Sequence, residues 1–293
     1  MRKIAIIGAG NVGKVLGYAL KSKGYDLVSA FARTEKSREM AADLFKCPVY
    51  GDPEEASIKG DIVFLTTPDR VIEEVCQEIA GKKGFRKGQI VLHTSGAQSS
   101  AILWPAQKAG ASVFSFHPLQ TFPELDMGLR SLPGTFFTVE GDEDAFAVAR
   151  ELVEAMEGKM LSIPTEMKPL YHAAACVACN YLASLMDIAL KMYNLTGVSS
   201  GKAFESLSPL ILGTLSNIQI MGTERSLTGP LARGDISTIN SHIDILRDKA
   251  PELLSLYKHL GIYTVDLAVR KGTLEKEQEE QLIILLGGNE SDD

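Results

Sequence analysis

The stretch KIAIIGAGNVG, residues 3–13, predicts how the chain begins to fold. A short apolar run, typical of a buried strand, leads directly into a G-x-G-x-x-G motif that opens a helical pattern. In such a turn the first glycine allows a tight bend, the second lets a pyrophosphate approach, and the third lets the helix pack against the strand. The free N–H groups at the start of the helix favour the phosphates. The predicted dinucleotide contacts are Gly8, Gly10, Asn11, Val12 and Gly13.

The first half of the chain alternates strand and helix patterns. Further apolar runs lie at residues 26–32, 61–67, 89–95, 111–117, 134–141 and 159–164. Because these runs are apolar almost without interruption, we expect a parallel sheet that is covered on both faces. After Pro164 only helical patterns remain, beginning with a long helix from Lys168 to Tyr193. The sequence thus predicts an α/β Rossmann domain with a parallel sheet over residues 1–164 and an all-α domain over residues 165–293.

Particular residues mark helix boundaries in the second half. Helices are expected to open at Pro209 and at Pro251, since proline is favoured in the first helical turn. Asp235 is predicted to be the N-cap of the helix that follows it. The glycine-led acidic tail at residues 287–293 is expected to fray.

Composition narrows the classes of protein. The 293 residues carry a net charge of −7, which argues against general nucleic-acid binding because that requires a basic face. We expect no apolar run to span a bilayer, and the N-terminus lacks the pattern of a signal peptide. The cysteines Cys47, Cys76, Cys176 and Cys179 fit a reducing compartment, and the last two are expected to be buried helical thiols. A cytoplasmic protein without a metal site is predicted, since no ligand spacing suggests a metal.

The end of the second strand indicates which dinucleotide is bound. An NAD site usually has an acidic residue there, whereas this sequence has Arg33 followed by Thr34. A guanidinium can donate two hydrogen bonds to a 2′-phosphate, and the threonine can add a hydroxyl, so NADP is favoured over NAD. Glu35 leaves NAD open if the strand ends two residues later. Lys36 and Arg38 are expected to be solvated charges on the next helix.

Polar residues gather where the later strands end. The carboxyl ends of parallel strands line the ligand crevice of this fold, so these residues are expected near the cofactor. Thr66, Thr67 and Pro68 end one strand, His93 and Ser95 the next, and His117 follows the sixth. We predict that the threonines, the proline and Ser95 contact the cofactor and that His93 contacts substrate. His117 is a candidate general acid, because the charge of histidine is tunable near neutral pH.

The helical half offers a second set of polar candidates. Lys168, His172 and Asn180 share a broad face of the predicted long helix at 100° per residue. Asn180 has mostly apolar neighbours in sequence, so a buried amide that needs a partner is expected there. Arg233, in a loop rich in glycine and proline, is a candidate clamp for a substrate carboxylate.

Taken together, these motifs resemble a known family. The quoted segments are GAGNVG, TTPD, HTSGA, SFHPLQTF, K-x-x-x-H-A-A-A-x-x-x-x-N and TGPLARGD. They are similar to an oxidoreductase family that joins a Rossmann-like half to a helical domain called domain of unknown function 2520. The resemblance covers almost the whole chain. The wider group resembles the 6-phosphogluconate dehydrogenase superfamily, including ketopantoate reductase, pyrroline-5-carboxylate reductase and prephenate dehydrogenase.

This resemblance implies NADP-linked redox chemistry, often in a dimer built through the helical domain. We predict an NADPH-dependent oxidoreductase that reduces a small carbonyl substrate, a 2-oxo acid, as a ketopantoate reductase does. His117 and then Lys168 are the candidate proton donors, and Asn180 would orient the carbonyl. His172 and Arg233 are predicted to bind substrate. The alternatives are a prephenate dehydrogenase-like or pyrroline-5-carboxylate reductase-like enzyme, a deazaflavin-dependent reductase, and a dinucleotide sensor without turnover.

Overall fold

The structure, a computed structural model, describes residues 2–287. The predicted fraying of the tail therefore concerns residues that lie almost entirely outside the described part. Packing divides the chain into two compact units, one ending at Ala178 and the other beginning at Cys179. The boundary lies inside the helical segment that the sequence analysis assigns wholly to the second domain. The predicted order, an α/β Rossmann unit followed by an all-α unit, is confirmed.

A single sheet forms the centre of the first unit. Within the described residues it has eight strands in the order β3-β2-β1-β4-β5-β6-β7-β8. Their bounds are β1 Lys3–Ile7, β2 Asp26–Phe31, β3 Val49–Tyr50, β4 Ile62–Leu65, β5 Ile90–His93, β6 Ser112–Pro118, β7 Phe136–Gly141 and β8 Lys159–Ser162. All neighbours are parallel except β6 and β7, which are antiparallel. The predicted parallel sheet is confirmed for the other strand pairs, and β6 with β7 is the exception.

The connection after β6 explains the antiparallel pair. A parallel neighbour requires a crossover back to the starting edge, usually made by a long helix. Between β6 and β7 the chain instead forms one short helix, α6, over Leu125–Ser131, and then returns along β6. This reversal places Glu140 directly opposite Ser115.

Helices cover both faces of the sheet. They are α1 Asn11–Ser22, α2 Glu35–Phe45, α3 Pro53–Ser57, α4 Ile72–Gly81, α5 Trp104–Lys108, α6, α7 Phe146–Ala155 and α8 Lys168–Ala175. Along β1, Ile4 and Ile6 belong to one buried cluster, whereas Ala5 and Ile7 belong to the other. Successive strand side chains point to opposite faces, so two covered faces account for the continuous apolar runs.

The register brings strand ends together at one edge. Ile7 pairs with Leu65, Leu65 pairs with His93, and His93 pairs with Ser115. The chain segments that follow β1, β4, β5 and β6 therefore begin side by side. This edge holds every candidate group that the sequence analysis assigns to strand ends.

The second unit contains helices throughout its described residues. Their bounds are α9 Tyr181–Leu195, α10 Ser200–Ser226, α11 Ile236–Lys249, α12 Pro251–Lys271 and α13 Lys276–Leu286. The N-cap role of Asp235 is confirmed, because its carboxylate accepts a hydrogen bond from the Thr238 amide at 3.1 Å. The start of α12 at Pro251 is also confirmed.

The predicted start of a helix at Pro209 is wrong. Pro209 lies inside α10, whose backbone leaves helical geometry only at Gly222, where φ is +81°. Proline removes one N–H donor, but its fixed φ is close to that of a helix. One lost hydrogen bond is compatible with a helix of 27 residues that continues on both sides.

The segment between α8 and α9 departs from a regular helix. Cys176–Asn180 forms a π-helical turn, so the spacing of 100° per residue fails between His172 and Asn180. Cys179 and Asn180 are exposed and Cys176 is half-buried. The predictions of buried thiols and of a buried Asn180 amide are therefore wrong for the single chain, which leaves this surface uncovered.

One helical stretch is long and apolar enough to cross a membrane by length and composition. It covers Thr165–Leu195 and is the only such stretch among the described residues. The expectation that no run reaches this length is wrong, because the residues from Pro169 to Met186 include five alanines and no Asp, Glu, Lys or Arg. The first turns of this stretch contain Lys168, which is buried.

Candidate active site

The glycine turn after β1 is sterically fixed at two of its three glycines. Gly8 has a φ of +114°, and a Cβ there would lie 2.8 Å from the Thr67 amide nitrogen. A Cβ at Gly13 would lie 2.2 Å from the Gly8 carbonyl oxygen, so helix and strand approach too closely for any side chain. At Gly10, in contrast, no described atom lies within 4 Å of the Cβ position. The turn is therefore packed against the sheet at Gly8 and Gly13 and open at Gly10, where a diphosphate can approach the backbone.

The start of α1 leaves its amides available. Gly10 provides no side-chain cap, and the first turn carries no acidic residue. The side-chain Nδ2 of Asn11 donates to the carbonyl oxygens of Phe122 at 3.0 Å and Pro123 at 2.9 Å, which ties the loop after β6 to this turn. The Asn11 side chain is therefore engaged in the protein, whereas the free helical N–H groups suit an anionic ligand.

The two threonines after β4 differ in their hydrogen bonding. Thr66 is buried, and its hydroxyl donates to the Gly8 carbonyl at 2.6 Å, so it holds the glycine turn in place. The buried Thr67 hydroxyl oxygen has no hydrogen-bond partner in the described part of the chain. Pro68, the next residue, is exposed. An unpaired buried hydroxyl beside an open glycine turn is what a site for a dinucleotide is expected to show.

The end of β2 carries the groups that the sequence assigns to NADP. Arg33 is exposed, and it makes no ion pair with any carboxylate of residues 2–287. Thr34 is the N-cap of α2, where its hydroxyl accepts from the Ser37 amide at 3.2 Å. Arg38 is half-buried rather than fully solvated, and its Nη1 donates to the Arg33 carbonyl at 3.2 Å.

His93 and Ser95 are held by the protein itself. The Nδ1 of His93 accepts from the Ser95 amide at 3.1 Å, and its Nε2 lies 3.1 Å from the Ser99 carbonyl. Burial and the nearby Lys168 charge lower the pKa of His93 to about 3, so the ring is neutral. The Ser95 hydroxyl donates to Asp69 at 2.6 Å. Both side chains thus brace the loop after β5, and their contacts with substrate and cofactor stay predictions.

His117 lies at the end of β6 beside Tyr171 of α8. Its Nδ1 is 2.8 Å from the tyrosine hydroxyl, and the two rings meet edge to face. Burial, with smaller contributions from Lys168 and His172, lowers the pKa of His117 to about 3. The expectation that its charge changes near neutral pH is therefore wrong, and the imidazole is a neutral hydrogen-bonding group.

Gly96 separates the two histidines. A Cβ at this position would lie 2.7 Å from Nε2 of His117 and 2.6 Å from Nδ1 of His172. The buried Nδ1 atom of His172 has no partner among the residues that the structure describes. On the other side of its ring, Nε2 lies 3.6 Å from Sγ of Cys176. Two imidazole nitrogens thus face the same small space over a residue that lacks a side chain.

Lys168 is fully buried beneath this pair. Its ammonium donates to the Ser115 hydroxyl, and Glu140 stands opposite Ser115 in the antiparallel register. Burial lowers the pKa of Lys168 to about 8, although the charges of Glu140 and Asp69 oppose this shift. Glu140 is itself satisfied by the Ser100 amide at 2.8 Å. The charge of Lys168 therefore changes close to neutral pH.

The remaining predicted residues belong to the second unit. Asn180 and Arg233 are both exposed in that unit. Arg233 lies in the loop before α11, and its charge adds to the hydrogen bonds from Thr238 and Ser237 that lower the pKa of Asp235. Their roles toward a substrate stay predictions.

Sequence reasoning missed Tyr171, Gly96 and Glu140. Tyr171 stands next to His172 and could have been noticed as a polar residue on the same helix. Gly96 follows the end of β5, but the neighbouring sequence does not indicate that His117 and His172 lie on either side of it. The position of Glu140 could not be predicted, because it depends on the antiparallel pairing of β7 with β6.

Two family models match the sequence. Residues 1–118 match a Rossmann-like domain, and residues 135–264 match the domain of unknown function DUF2520. Among curated proteins, none matches the chain.

Several solved structures share the fold. An NADP oxidoreductase candidate from Bacteroides fragilis is 24% identical, with a TM-score of 0.73 over 90% of this chain and 98% of that one. A protein from Thermotoga maritima is 25% identical, with a TM-score of 0.72 over 92% and 99%. A reductive aminase from Aspergillus terreus, solved with NADPH and ethyl levulinate, is 17% identical, with a TM-score of 0.64 over 97% and 99%. The chain therefore combines a Rossmann-like domain with a domain of unknown function 2520, as the resemblance of its motifs implies.

Proposed function

We propose that the protein is an NADPH-dependent oxidoreductase that reduces a small carbonyl substrate, with a 2-oxo acid as the first candidate. The observation that carries this proposal is the pair of imidazole nitrogens, from His117 and His172, that converge over Gly96. They lie on the sheet edge that also bears the open glycine turn. A dinucleotide and a polar group of a substrate would therefore be bound by the same edge.

The residues present fit NADP. Gly8 and Gly13 permit the tight turn, Gly10 leaves room for the diphosphate, and the first backbone N–H groups of α1 would bind it. Arg33 and Thr34 would bind the 2′-phosphate, and the unpaired Thr67 hydroxyl would bind another polar group of the cofactor. The aminase bound to NADPH and the Bacteroides protein support this choice by fold. When bound, the cofactor supplies a hydride.

His117 and Lys168 would then stabilise and protonate the carbonyl oxygen as it becomes an alkoxide. With the Tyr171 hydroxyl donating to Nδ1 of His117, the hydrogen of the neutral ring lies on Nε2, where it would donate a hydrogen bond to the carbonyl oxygen and polarise it without leaving the ring. The buried Lys168 charge stabilises negative charge as it develops. The net change is addition of a hydride to the carbonyl carbon and of a proton to its oxygen, and Lys168 is the cationic proton source in this cluster.

An imine substrate is the second candidate, since a reductive aminase shares the fold. The reactive form of an imine is usually a cation, and the first unit places a buried cation, Lys168, near the histidine pair. Glu140 and Asp69 are already engaged by Ser100 and Ser95. We rank the carbonyl first because Lys168 directly stabilises a developing alkoxide, whereas an iminium would depend on these two carboxylates for its stabilisation.

Two residues of the second unit complete the proposal. Arg233 would bind the carboxylate of a 2-oxo acid, because a guanidinium pairs with a carboxylate through two hydrogen bonds. Asn180 would orient the carbonyl. If Arg233 has this role, Arg233→Ala raises KM for 2-oxo acids and leaves KM for uncharged ketones unchanged.

We also propose that a second copy of the chain covers the helical unit. Residues 206–223 of α10 carry no charge, yet Leu210, Leu212 and Ile220 are 67%, 62% and 74% exposed. An apolar helix surface of this kind is normally buried against a partner. Sedimentation of the wild type is expected to give a dimer, and Leu212→Glu a monomer. The four free thiols are consistent with a cytoplasmic protein, which we also propose.

The test is a screen of NADPH oxidation by absorbance. We expect turnover with 2-oxo acids or related ketones and aldehydes, and weaker or no turnover with cyclic imines of matched size. A dinucleotide sensor would bind NADPH without turnover of any substrate, and variants at His117, Lys168 and Asn180 would leave its ligand response intact. Fluorescence titration with NADPH, NADH and a deazaflavin separates the three cofactor choices.

A further inference from the structure

Arg38 reaches back from α2 to the end of β2. Its Nη1 donates to the carbonyl oxygens of Ala32 at 3.4 Å and of Arg33 at 3.2 Å. Gly51, which follows β3, borders the same guanidinium, since a Cβ there would lie 3.7 Å from Nη1. The side chain thus lies across the ends of two neighbouring strands and bonds to the peptide that carries Arg33.

The alternative contact available to Arg38 is an ion pair on its own helix. Glu35 stands three residues earlier, a spacing at which opposite charges commonly pair. In the part of the chain that the structure describes, Arg38 forms no ion pair with this or any other carboxylate. Its hydrogen bonds within residues 2–287 use Nη1 alone. A guanidinium has five N–H donors, so the charge and the remaining donors of Arg38 are available to bind an anion.

The two carbonyl oxygens that Arg38 binds carry partial negative charge next to Arg33. Without a cation there, they would repel an anion bound by Arg33, and the Arg33 peptide would be free to rotate. Arg38 neutralises these dipoles and fixes the peptide plane. Exposed Lys36, two residues away, makes no comparable contact and is the natural control.

We propose that Arg38 is a specificity-determining residue for the 2′-phosphate of NADPH, acting both through its charge and by positioning Arg33. This inference rests on the proposed function, because it presupposes that a dinucleotide binds at the glycine turn. It assigns discrimination between NADPH and NADH to two arginines instead of to Arg33 alone. Thr34 and Ser37 lie between them on the first turn of α2.

The experiment measures dissociation constants of NADPH and NADH by fluorescence for the wild type, Arg38→Met, Arg38→Lys and Lys36→Met. Arg38→Met is expected to weaken NADPH by about tenfold or more, because a charge-assisted interaction is lost, and to change NADH by less than about twofold. Arg38→Lys keeps the charge but cannot bond to both carbonyls in the same way, so an intermediate loss is expected. Lys36→Met is expected to change either constant little. Circular dichroism confirms that each variant is folded.

Two other outcomes would overturn the inference. If Arg38→Met weakens NADPH and NADH equally, or changes neither while Arg33→Ala weakens NADPH, then Arg38 does not determine specificity although the proposed function stands. If the wild type binds neither dinucleotide, the proposed function itself fails. The two failures are thus distinguishable.

Discussion

The two polar regions at the carboxyl edge of the sheet are built in opposite ways. Around the glycine turn, backbone N–H groups and the Thr67 hydroxyl are left without partners, and side chains are excluded by close backbone contacts. Around His117, almost every polar atom is bonded to another residue, and two imidazole nitrogens remain free. The first region leaves space and free hydrogen-bond donors for a charged ligand. The second is a braced network that offers a few fixed groups, as a reacting centre requires.

The largest effect is expected from filling the glycine turn. Gly13→Ala places a methyl group 2.2 Å from the Gly8 carbonyl, and backbone there cannot move aside without opening the turn. We expect the free energy of unfolding to fall by about 3 kcal/mol and NADPH binding to be lost. Urea denaturation and fluorescence titration measure the two effects. Gly10→Ala, where the Cβ meets no described atom, is expected to leave stability almost unchanged, and a similar loss of stability in both variants would contradict this account.

The next largest effect is expected from removing the buried charge of Lys168. Lys168→Met removes the buried cation, and kcat/KM is expected to fall by about 10²- to 10³-fold, the usual effect of one preorganised charge. In the wild type, kcat/KM should decline as pH rises through about 8, where Lys168 loses its proton. The variant should lack this alkaline limb. Lys159→Met, an exposed lysine on β8, is the control, and an unchanged pH profile in Lys168→Met would count against the assignment.

A smaller and more selective effect is expected at Gly96. Gly96→Ala brings a methyl group within 2.7 Å of both histidine nitrogens and fills the space proposed for the carbonyl oxygen. We expect kcat/KM to fall by about 100-fold, as for a misplaced reacting group, while the NADPH dissociation constant stays the same. Gly81→Ala, at an open helical position, is the matched control. Equal activity of the two variants would show that substrate does not occupy this space.

The smallest effect is a pH dependence of stability. The pKa of His93 and of His117 is about 3 in the folded chain and 6.5 in the unfolded chain, so the unfolded chain binds more protons between these values. These two histidines should therefore make stability rise with pH from about 3 to 6.5, and by about 2 kcal/mol each between pH 5 and pH 7. Denaturant midpoints of the wild type and His93→Gln at pH 5 and pH 7 measure this. A slope as steep in the variant as in the wild type would assign the effect to other groups.

The sequence was most informative where a function depends on local backbone geometry. The glycine turn, the Asp235 N-cap and the strand ends follow from neighbouring residues, because each is defined within a few positions. The surroundings of Lys168 did not follow, since Glu140, whose charge acts on Lys168, lies opposite Ser115 only because β7 pairs antiparallel with β6. The hydrogen bonds of His93 and Ser95 did not follow for a related reason. Their polar character was visible, but the bonds to Ser99 and Asp69 that occupy them were not.

The helical segment shows a second limit of periodicity. Regular spacing placed Lys168, His172 and Asn180 on one face, and a π-helical turn at Cys176–Asn180 removes that relation. A single inserted residue in a helical turn leaves no clear mark in composition. Burial was also misjudged there, because an apolar helix predicts a covered surface without telling whether the cover comes from the same chain.

Binding of NADPH is the most direct test of the central claim that the glycine turn and Arg33 hold a phosphorylated dinucleotide. Calorimetric titration of the wild type should show saturable heat with NADPH and much weaker binding of NADH, and Arg33→Ala should weaken NADPH far more than NADH. The absence of heat with either coenzyme, or equal losses for both in Arg33→Ala, would contradict the account.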